Sequence, residues 1–188
     1  MISELDGERR AHLIALARRT IEHGAEQRER LVPDRAVVDA FSSTPVATFV
    51  TLRVAEQLNG CIGTIEPQRP ICRDIVYNAF QAAFHDPRFS PLEASALERV
   101  DIHISVLSPL ERLQVADEVE LLEALRPHRD GLVLEAGSRR ATFLPSVWEK
   151  VPEPEDFVGH LKRKARIGPL EWPDSMQVFR YDVLEFSE

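Results

Sequence analysis

Cys61 stands between two glycines in the run Asn59-Gly60-Cys61-Ile62-Gly63-Thr64. A thiol becomes a competent nucleophile as its thiolate, which nearby positive charge and backbone amides favour. The amides of Ile62 and Gly63 are potential donors to an oxyanion, provided the chain bends there. Glycine inside a strand marks a bulge, or a close approach by backbone or ligand, so the pair reads as backbone kept bare around the thiol. The competing reading is a small buried thiol packed as a hydrophobe in a glycine-relieved strand.

Other side chains could serve this thiol. Arg53 precedes it on an alternating apolar segment and would supply positive charge. His85-Asp86-Pro87-Arg88-Phe89 is first a helix stop and turn. It also offers His85 or Asp86 to orient a proton-transfer group, and Arg88 to hold an anion through its planar fork. Arg53 and Arg88 together suggest an anion site between the Cys61 hairpin and the Asp86–Leu92 turn. His103 lies on a strand face opposite Ile102 and Ile104, within reach of Cys61 if the strands are neighbours. The six histidines show no metal-ligand spacing, and Cys61 and Cys72 form no Cys-x-x-Cys pair. Neither a P-loop nor a dinucleotide fingerprint is present, so no cofactor is named.

The elements that must position these groups follow from periodicity. Glu4 to about Gln27 reads as an amphipathic helix with Leu5, Leu13, Leu16, Ala17, Thr20 and Ile21 on one face. Arg28 to Pro45 reads as a long connection. Val46–Leu52 and Leu58–Ile65 read as an antiparallel hairpin. A turn centred on Glu56 sets Thr51 opposite Cys61 and Arg53 opposite Asn59, with Thr51, Arg53, Asn59, Cys61 and Gly63 on one face. Pro70 starts a helix over Ile71–Phe84, with Ile71, Ile75, Ala79 and Ala82 as its apolar stripe and Asp74, Asn78, Gln81 and His85 as its polar one. Val100–Leu107 is a strand with Val100, Ile102, Ile104 and Val106 inward. A short helix over Glu118–Leu125, a hairpin turned at Gly137-Ser138, a helix over Glu155–Arg166 and a strand over Met176–Phe186 follow. Strands and helices do not alternate strictly. The class is therefore α+β, an antiparallel sheet flanked by helices, in one compact domain with room for a smaller lobe within about 108–175.

The chain has 188 residues, 44% hydrophobic, which suffices for a core. Its formal net charge of −8 disfavours nucleic acid, which calls for a basic patch. The cluster Lys162, Arg163, Lys164 and Arg166 reads as the solvated end of a helix, where cations complement the dipole. No stretch is apolar enough for a membrane helix, and the acidic, polar Met1–Arg10 is unlike a secretory signal. Two cysteines without a disulfide framework point to a reducing cytoplasm.

The glycine-flanked hexapeptide resembles the Leu-Arg-Gly-Cys-Ile-Gly-Thr signature of the AMME syndrome candidate protein family, the AmmeMemoRadiSam system protein A of microbes. Asp86-Pro87-Arg88-Phe89-Ser90-Pro91-Leu92, Ser105-Val106-Leu107-Ser108-Pro109, Arg129-Asp130-Gly131-Leu132-Val133-Leu134-Glu135 and Phe143-Leu144-Pro145 are similar to its later blocks, in order. Lys164-Ala165 and Trp172 close the resemblance. It implies that Asn59, Gly60, Gly63 and Thr64 flank the substrate, that Asp130 faces the same cleft, and that Lys164 contacts a phosphate or carboxylate. Three positions depart from the pattern: Asn59 replaces the signature arginine, Lys162 a frequent cysteine, and Arg166 a glycine. The family pattern usually carries an acidic residue at His85, which argues against a general base role there. The resulting expectation is a cytosolic enzyme using Cys61 on a small anionic molecule. The alternative is a non-catalytic ligand-binding module acting with a Memo-type protein and a radical S-adenosylmethionine enzyme, which the family name associates with it.

Overall fold

The computed structural model describes residues 5–188. In chain order the elements are α1 (Gly7–Gln27), α2 (Arg35–Asp39), β1 (Pro45–Val46), β2 (Thr48–Val54), β3 (Gln57–Gly63), β4 (Arg69–Pro70), α3 (Ile71–Phe84), β5 (Val100–Leu107), β6 (Glu111–Leu113), α4 (Glu118–Ala124), β7 (Gly131–Ala136), β8 (Arg139–Phe143), α5 (Pro154–Lys164), β9 (Met176–Tyr181) and β10 (Val183–Ser187). Short 3-10 turns cover Ala94–Arg99 and Pro145–Glu149. The fold is α+β, with antiparallel sheets and flanking helices. The chain forms two compact units: one runs up to Leu107 and regains Leu184–Glu188, and the other is Ser108–Val183.

The first unit is built on an antiparallel sheet of order β10-β5-β2-β3. Helices α1 and α3 cover one face, where Val50, Leu52, Ile102, Ile104 and Val106 are buried against Leu13, Leu16, Ile75 and Ala79. Asp6 caps α1 by accepting the Arg9 amide at 2.9 Å, so the helix starts at Gly7; Glu4, where the periodicity began it, lies outside the described residues. The connection expected over Arg28–Pro45 contains α2 and ends at Pro45, where β1 begins and pairs with β4; Val46, expected to open the hairpin strand, belongs to β1.

Helix α3 corrects one expectation. Asp74 and Asn78, placed on the polar stripe of the helix, are fully buried. Asp74 Oδ2 accepts from the Thr48 amide (3.1 Å), the Thr48 hydroxyl (2.8 Å) and Asn78 Nδ2 (3.0 Å), while Arg69 Nη1 reaches Oδ1 at 3.2 Å. These donors explain how a carboxylate sits in the core; burial nevertheless pushes its pKa up. Periodicity alone could not reveal that the sheet carries a matching donor set at Thr48.

The β2–β3 hairpin closes on a two-residue turn, Ala55-Glu56, with φ of 49° and 66°. Two consecutive left-handed residues match the right-handed twist of the strands, though neither is the usual asparagine or glycine. Thr51 pairs with Cys61 as expected. Arg53, however, pairs with Leu58 rather than Asn59, because the register shifts between Leu52 and Arg53. Asn59 is the extra residue of that bulge.

The second unit has a sheet of order β6-β9-β7-β8. Its core gathers Leu121, Leu132, Leu134, Trp148, Phe157 and Leu161. Trp148 stacks on Phe157 with centroids 3.8 Å apart and donates Nε1–H to the Asp130 carbonyl at 2.8 Å. The long final strand expected over Met176–Phe186 is two strands in two sheets. Asp182 breaks it: its N–H meets the Ser108 hydroxyl (3.0 Å) and its carbonyl accepts the Ser108 amide (2.9 Å).

Candidate functional site

Strand β3 is the edge of its sheet, and its residues alternate between bonding β2 and facing outward. Thr51 and Cys61 are a non-hydrogen-bonded pair, so the Cys61 N–H and C=O both point away from β2. Both are claimed by the turn after α3. Asp86 Oδ2 accepts the Cys61 amide at 2.9 Å, and Arg88 Nη2 donates to the Cys61 carbonyl at 2.9 Å. The Asp86-Pro87-Arg88 turn thus caps an exposed sheet edge at one residue, standing in for a further strand.

Asp86 and Arg88 also hold each other. Arg88 Nε reaches Oδ1 at 2.9 Å and Nη2 reaches Oδ2 at 2.7 Å, and the Arg88 amide adds 3.1 Å to Oδ1. The Asp86 side chain is 1% exposed and that of Arg88 56%. The Arg88 bonds hold the Asp86 carboxyl well below the usual range, against the opposing effect of burial, with the Cys61 and Arg88 amides adding to them. Arg88 is raised in turn by the same bonds. The fork expected to grip a substrate is therefore spent on Asp86. Arg53, exposed near the hairpin turn, rests Nη1 on the Glu56 carbonyl at 3.0 Å. Each arginine of the anion site expected from sequence thus has a partner within the fold.

The Cys61 side chain emerges on the sheet face not covered by α1 and α3, and is half-buried. The Thr51 hydroxyl donates to its sulfur at 3.1 Å. Across β2, Thr51 is also the register partner of His103, so Cys61, Thr51 and His103 form one row over three strands. Two strand spacings separate the outer members, about 10 Å between backbones, too far for direct proton transfer without a bridging group. Arg53 and Asp101 form the next row toward the hairpin turn, and Phe49, flanked by Gly63 and Ser105, forms the row on the other side.

The glycines have a different role from the one their spacing suggests. A Cβ on Gly60 would sit 2.0 Å from the Ala82 carbonyl oxygen, and one on Gly63 would meet the Phe49 ring at 2.2 Å and the Thr48 oxygen at 2.5 Å. The bare backbone is filled by helix α3 and by an aromatic ring, not kept open for a ligand. The oxyanion reading changes as well. Of the two donors expected, Ile62 and Gly63, the ladder alternation gives the Ile62 amide to Val50; the neighbouring Cys61 amide is bonded to Asp86. Thr64 donates its amide to the Thr48 carbonyl at 3.1 Å, and its buried hydroxyl has no partner among the described residues. The Asn59 Oδ1 is likewise buried and unpartnered.

His85 ends α3 and is exposed, its ring 5.1 Å from that of Phe80. It lines a pocket of about 550 Å³ with Gly24, Arg28, Phe80 and Phe84, and no hydrogen bond joins it to Cys61. Cys72 is fully buried, and desolvation pushes its thiol up to about 11.

Asp130 and Lys164 belong to the second unit. Asp130 is buried, accepting the Arg126 amide at 2.9 Å and Arg126 Nε at 2.7 Å, which closes the loop before β7. Lys164 bonds the Thr142 carbonyl at 2.9 Å and lies 5.1 Å from the Phe143 ring centroid, tying α5 to β8. Lys162, read as part of a solvated helix end, is 1% exposed and bonds Glu118 (2.5 Å) and the Pro169 carbonyl (2.7 Å). Its flexible stem lets an amine reach acceptors from inside the core. The buried Asp74 network and this lysine were the polar groups that periodicity missed; no local signal marks them. Among the described residues no cluster of His, Cys, Asp or Glu is arranged to hold a metal ion, and no helix is long and apolar enough to cross a membrane.

Sheet order, the capped cysteine and the two-unit chain define an α+β protein with one partly exposed thiol on its sheet. The chain belongs to the AMMECR1 family, whose family model matches residues 14–186. A protein of Thermotoga maritima is 32% identical over 88% of this chain and 91% of its own length. One of Methanothermobacter thermautotrophicus is 33% identical over 94% of this chain and 92% of its own. The crystal structure of the uncharacterized protein PH0010 from Pyrococcus horikoshii matches with a TM-score of 0.84 and 27% identity, covering 94% of this chain and 90% of that one.

Proposed function

We propose that the sheet face bearing Cys61, Thr51 and His103 is an enzyme active site, in which the Cys61 sulfur acts as a thiolate on a small substrate. The observation that supports this reading is the Thr51 hydroxyl donating to the sulfur at 3.1 Å on a face that α1 and α3 leave uncovered. That hydroxyl fixes the position of the sulfur, and the Asp86–Arg88 cap fixes the backbone that carries it. Arg53, exposed on the same face, is the cation an anionic substrate would meet. His103 reaches such a substrate from the far side of Thr51, as a proton donor or acceptor.

One observation favours a second reading, a ligand- or partner-binding module working beside Memo-type and radical S-adenosylmethionine proteins. The Cys61 and Ile62 amides are both committed within the fold, so they do not form an oxyanion hole for acyl transfer. Alkylation kinetics separate the two. In an active site, Cys61 reacts with iodoacetamide at neutral pH faster than a cysteine in an unstructured peptide, while Cys72 stays unmodified and Cys61→Ser removes the reaction. A Cys61 rate at or below that of the peptide would overturn the enzyme reading.

A further inference from the structure

We propose that the first unit carries a binding site for a small organic phosphate at the start of α3, separate from Cys61 and built on Arg30, Arg69 and Arg73 around Tyr77. The three arginines line a pocket of about 430 Å³ whose walls include Leu31 and Val76 and no carboxylate. The Arg69 guanidinium lies 4.0 Å from the Tyr77 ring centroid and that of Arg30 5.3 Å, so the ring gathers both cations. Arg69 is further fixed by Asp74, at 3.2 Å behind it. Arg73 is exposed and has no hydrogen bond or ion pair among the described residues.

The placement of Arg73 is electrostatically costly. It is the third residue of α3, where the first amides carry positive partial charge and a carboxylate is the favoured side chain. The N-cap is Pro70, which offers no side-chain acceptor to those amides. In a chain of formal net charge −8, three arginines line one pocket whose walls hold no carboxylate, at the start of a fourteen-residue helix whose first-turn acid, Asp74, is buried and paired with Arg69. Carboxylates do occur nearby: Arg73 also lines an adjoining pocket with Asp34 and Asp39, of which Asp39 pairs with Arg35 at 3.4 Å. An anion in the pocket would give Arg30 and Arg73 the partner that Arg69 already has in Asp74.

The ligand's chemistry follows from the walls. Guanidinium groups suit the oxygens of a phosphate dianion, which accept several charge-assisted bonds at once. The volume exceeds what an inorganic ion fills and falls within the range of small-molecule sites, and the apolar wall at Leu31 and Val76 suits an organic substituent. A phosphomonoester satisfies both halves.

Titration calorimetry of the full chain with phenyl phosphate, inorganic phosphate and benzyl alcohol tests the site, with circular dichroism to confirm that each variant is folded. Phenyl phosphate should bind more tightly than inorganic phosphate, and benzyl alcohol should not bind. Arg73→Gln and Arg30→Gln should each weaken phenyl phosphate about tenfold, the loss of one charge-assisted contact. Arg19→Gln, an equal change of net charge on the exposed side of α1, should leave binding unchanged. Arg69 is left intact because it also holds Asp74. Phenyl phosphate binding unaffected by Arg73→Gln, or weakened equally by Arg19→Gln, would overturn the site. So would the absence of saturable binding at millimolar ligand, or Arg73-dependent binding of a single-stranded oligonucleotide in preference to phenyl phosphate.

Discussion

The Asp86 carboxylate accepts the backbone N–H of Cys61 at 2.9 Å, from 25 residues further along the chain. Helix α3 makes the bond possible. Its backbone presses on Gly60 at Ala82, and its C-terminal turn then delivers Asp86 to the next residue of the edge strand. The two sequence blocks most suggestive of chemistry are thus one structural unit.

Replacing that carboxylate should cost stability in a pH-dependent way. The folded-state pKa of Asp86 is depressed, so its contribution is present above the unfolded value, about 4, and is lost as pH falls below it. Asp86→Asn should lower unfolding stability by about 2 kcal/mol at pH 7 and by progressively less in acid. Urea midpoints from pH 7 down to about pH 3 check this. Asp74 has the opposite sign: its pKa is raised, so its titration favours the folded state below about pH 4 and that gain is lost as pH rises through the folded value. A difference between wild type and Asp86→Asn that does not shrink in acid would contradict the assignment.

Thr51→Val removes the hydroxyl donor to the Cys61 sulfur while keeping a β-branched side chain in the strand. The iodoacetamide rate at neutral pH should fall roughly fivefold, the worth of a hydrogen bond of about 1 kcal/mol. The fold should remain intact by circular dichroism. Thr51→Ser, which restores the donor, should recover most of the rate.

Gly60→Ala should be far more damaging than a glycine-to-alanine change in an open strand. Its new methyl would meet the Ala82 carbonyl oxygen at 2.0 Å, and neither backbone can retreat without parting β3 from α3. A loss of about 3 kcal/mol or more is expected, visible as a lower urea midpoint or failure to fold. Gly137→Ala, at a turn with open space but φ of 63°, should cost only about 1 kcal/mol.

Arg166→Gly should stabilise the protein. Helix α5 ends with Ile167 N–H to the Lys162 carbonyl at 2.8 Å and Arg166 N–H to the Arg163 carbonyl at 3.0 Å, and Arg166 takes φ of 60°. That is a Schellman cap, whose left-handed position glycine fills without steric cost. The resemblance indeed expected glycine there. A gain of about 0.5–1 kcal/mol should appear as a higher melting temperature.

Much of this was legible in local pattern. The apolar stripe of α1, the span of α3, the inward residues of β5 and the Thr51–Cys61 pairing follow from periods of 3.6 and 2 and from proline at a helix start, because those signals depend only on neighbours along the chain. What tertiary structure decided are relations that no local period encodes. A single bulge at Asn59 moved Arg53 out of the expected register. Asp74 and Asn78 became core residues because Thr48, on a strand 26 to 30 residues away, donates to Asp74 and accepts from Asn78. Arg88 turned from a candidate substrate grip into half of a closed ion pair, since Asp86 lies two residues before it at the same sheet edge. Residue types fix which bonds a side chain can make; which of them are made depends on the partners that folding brings within about 3 Å.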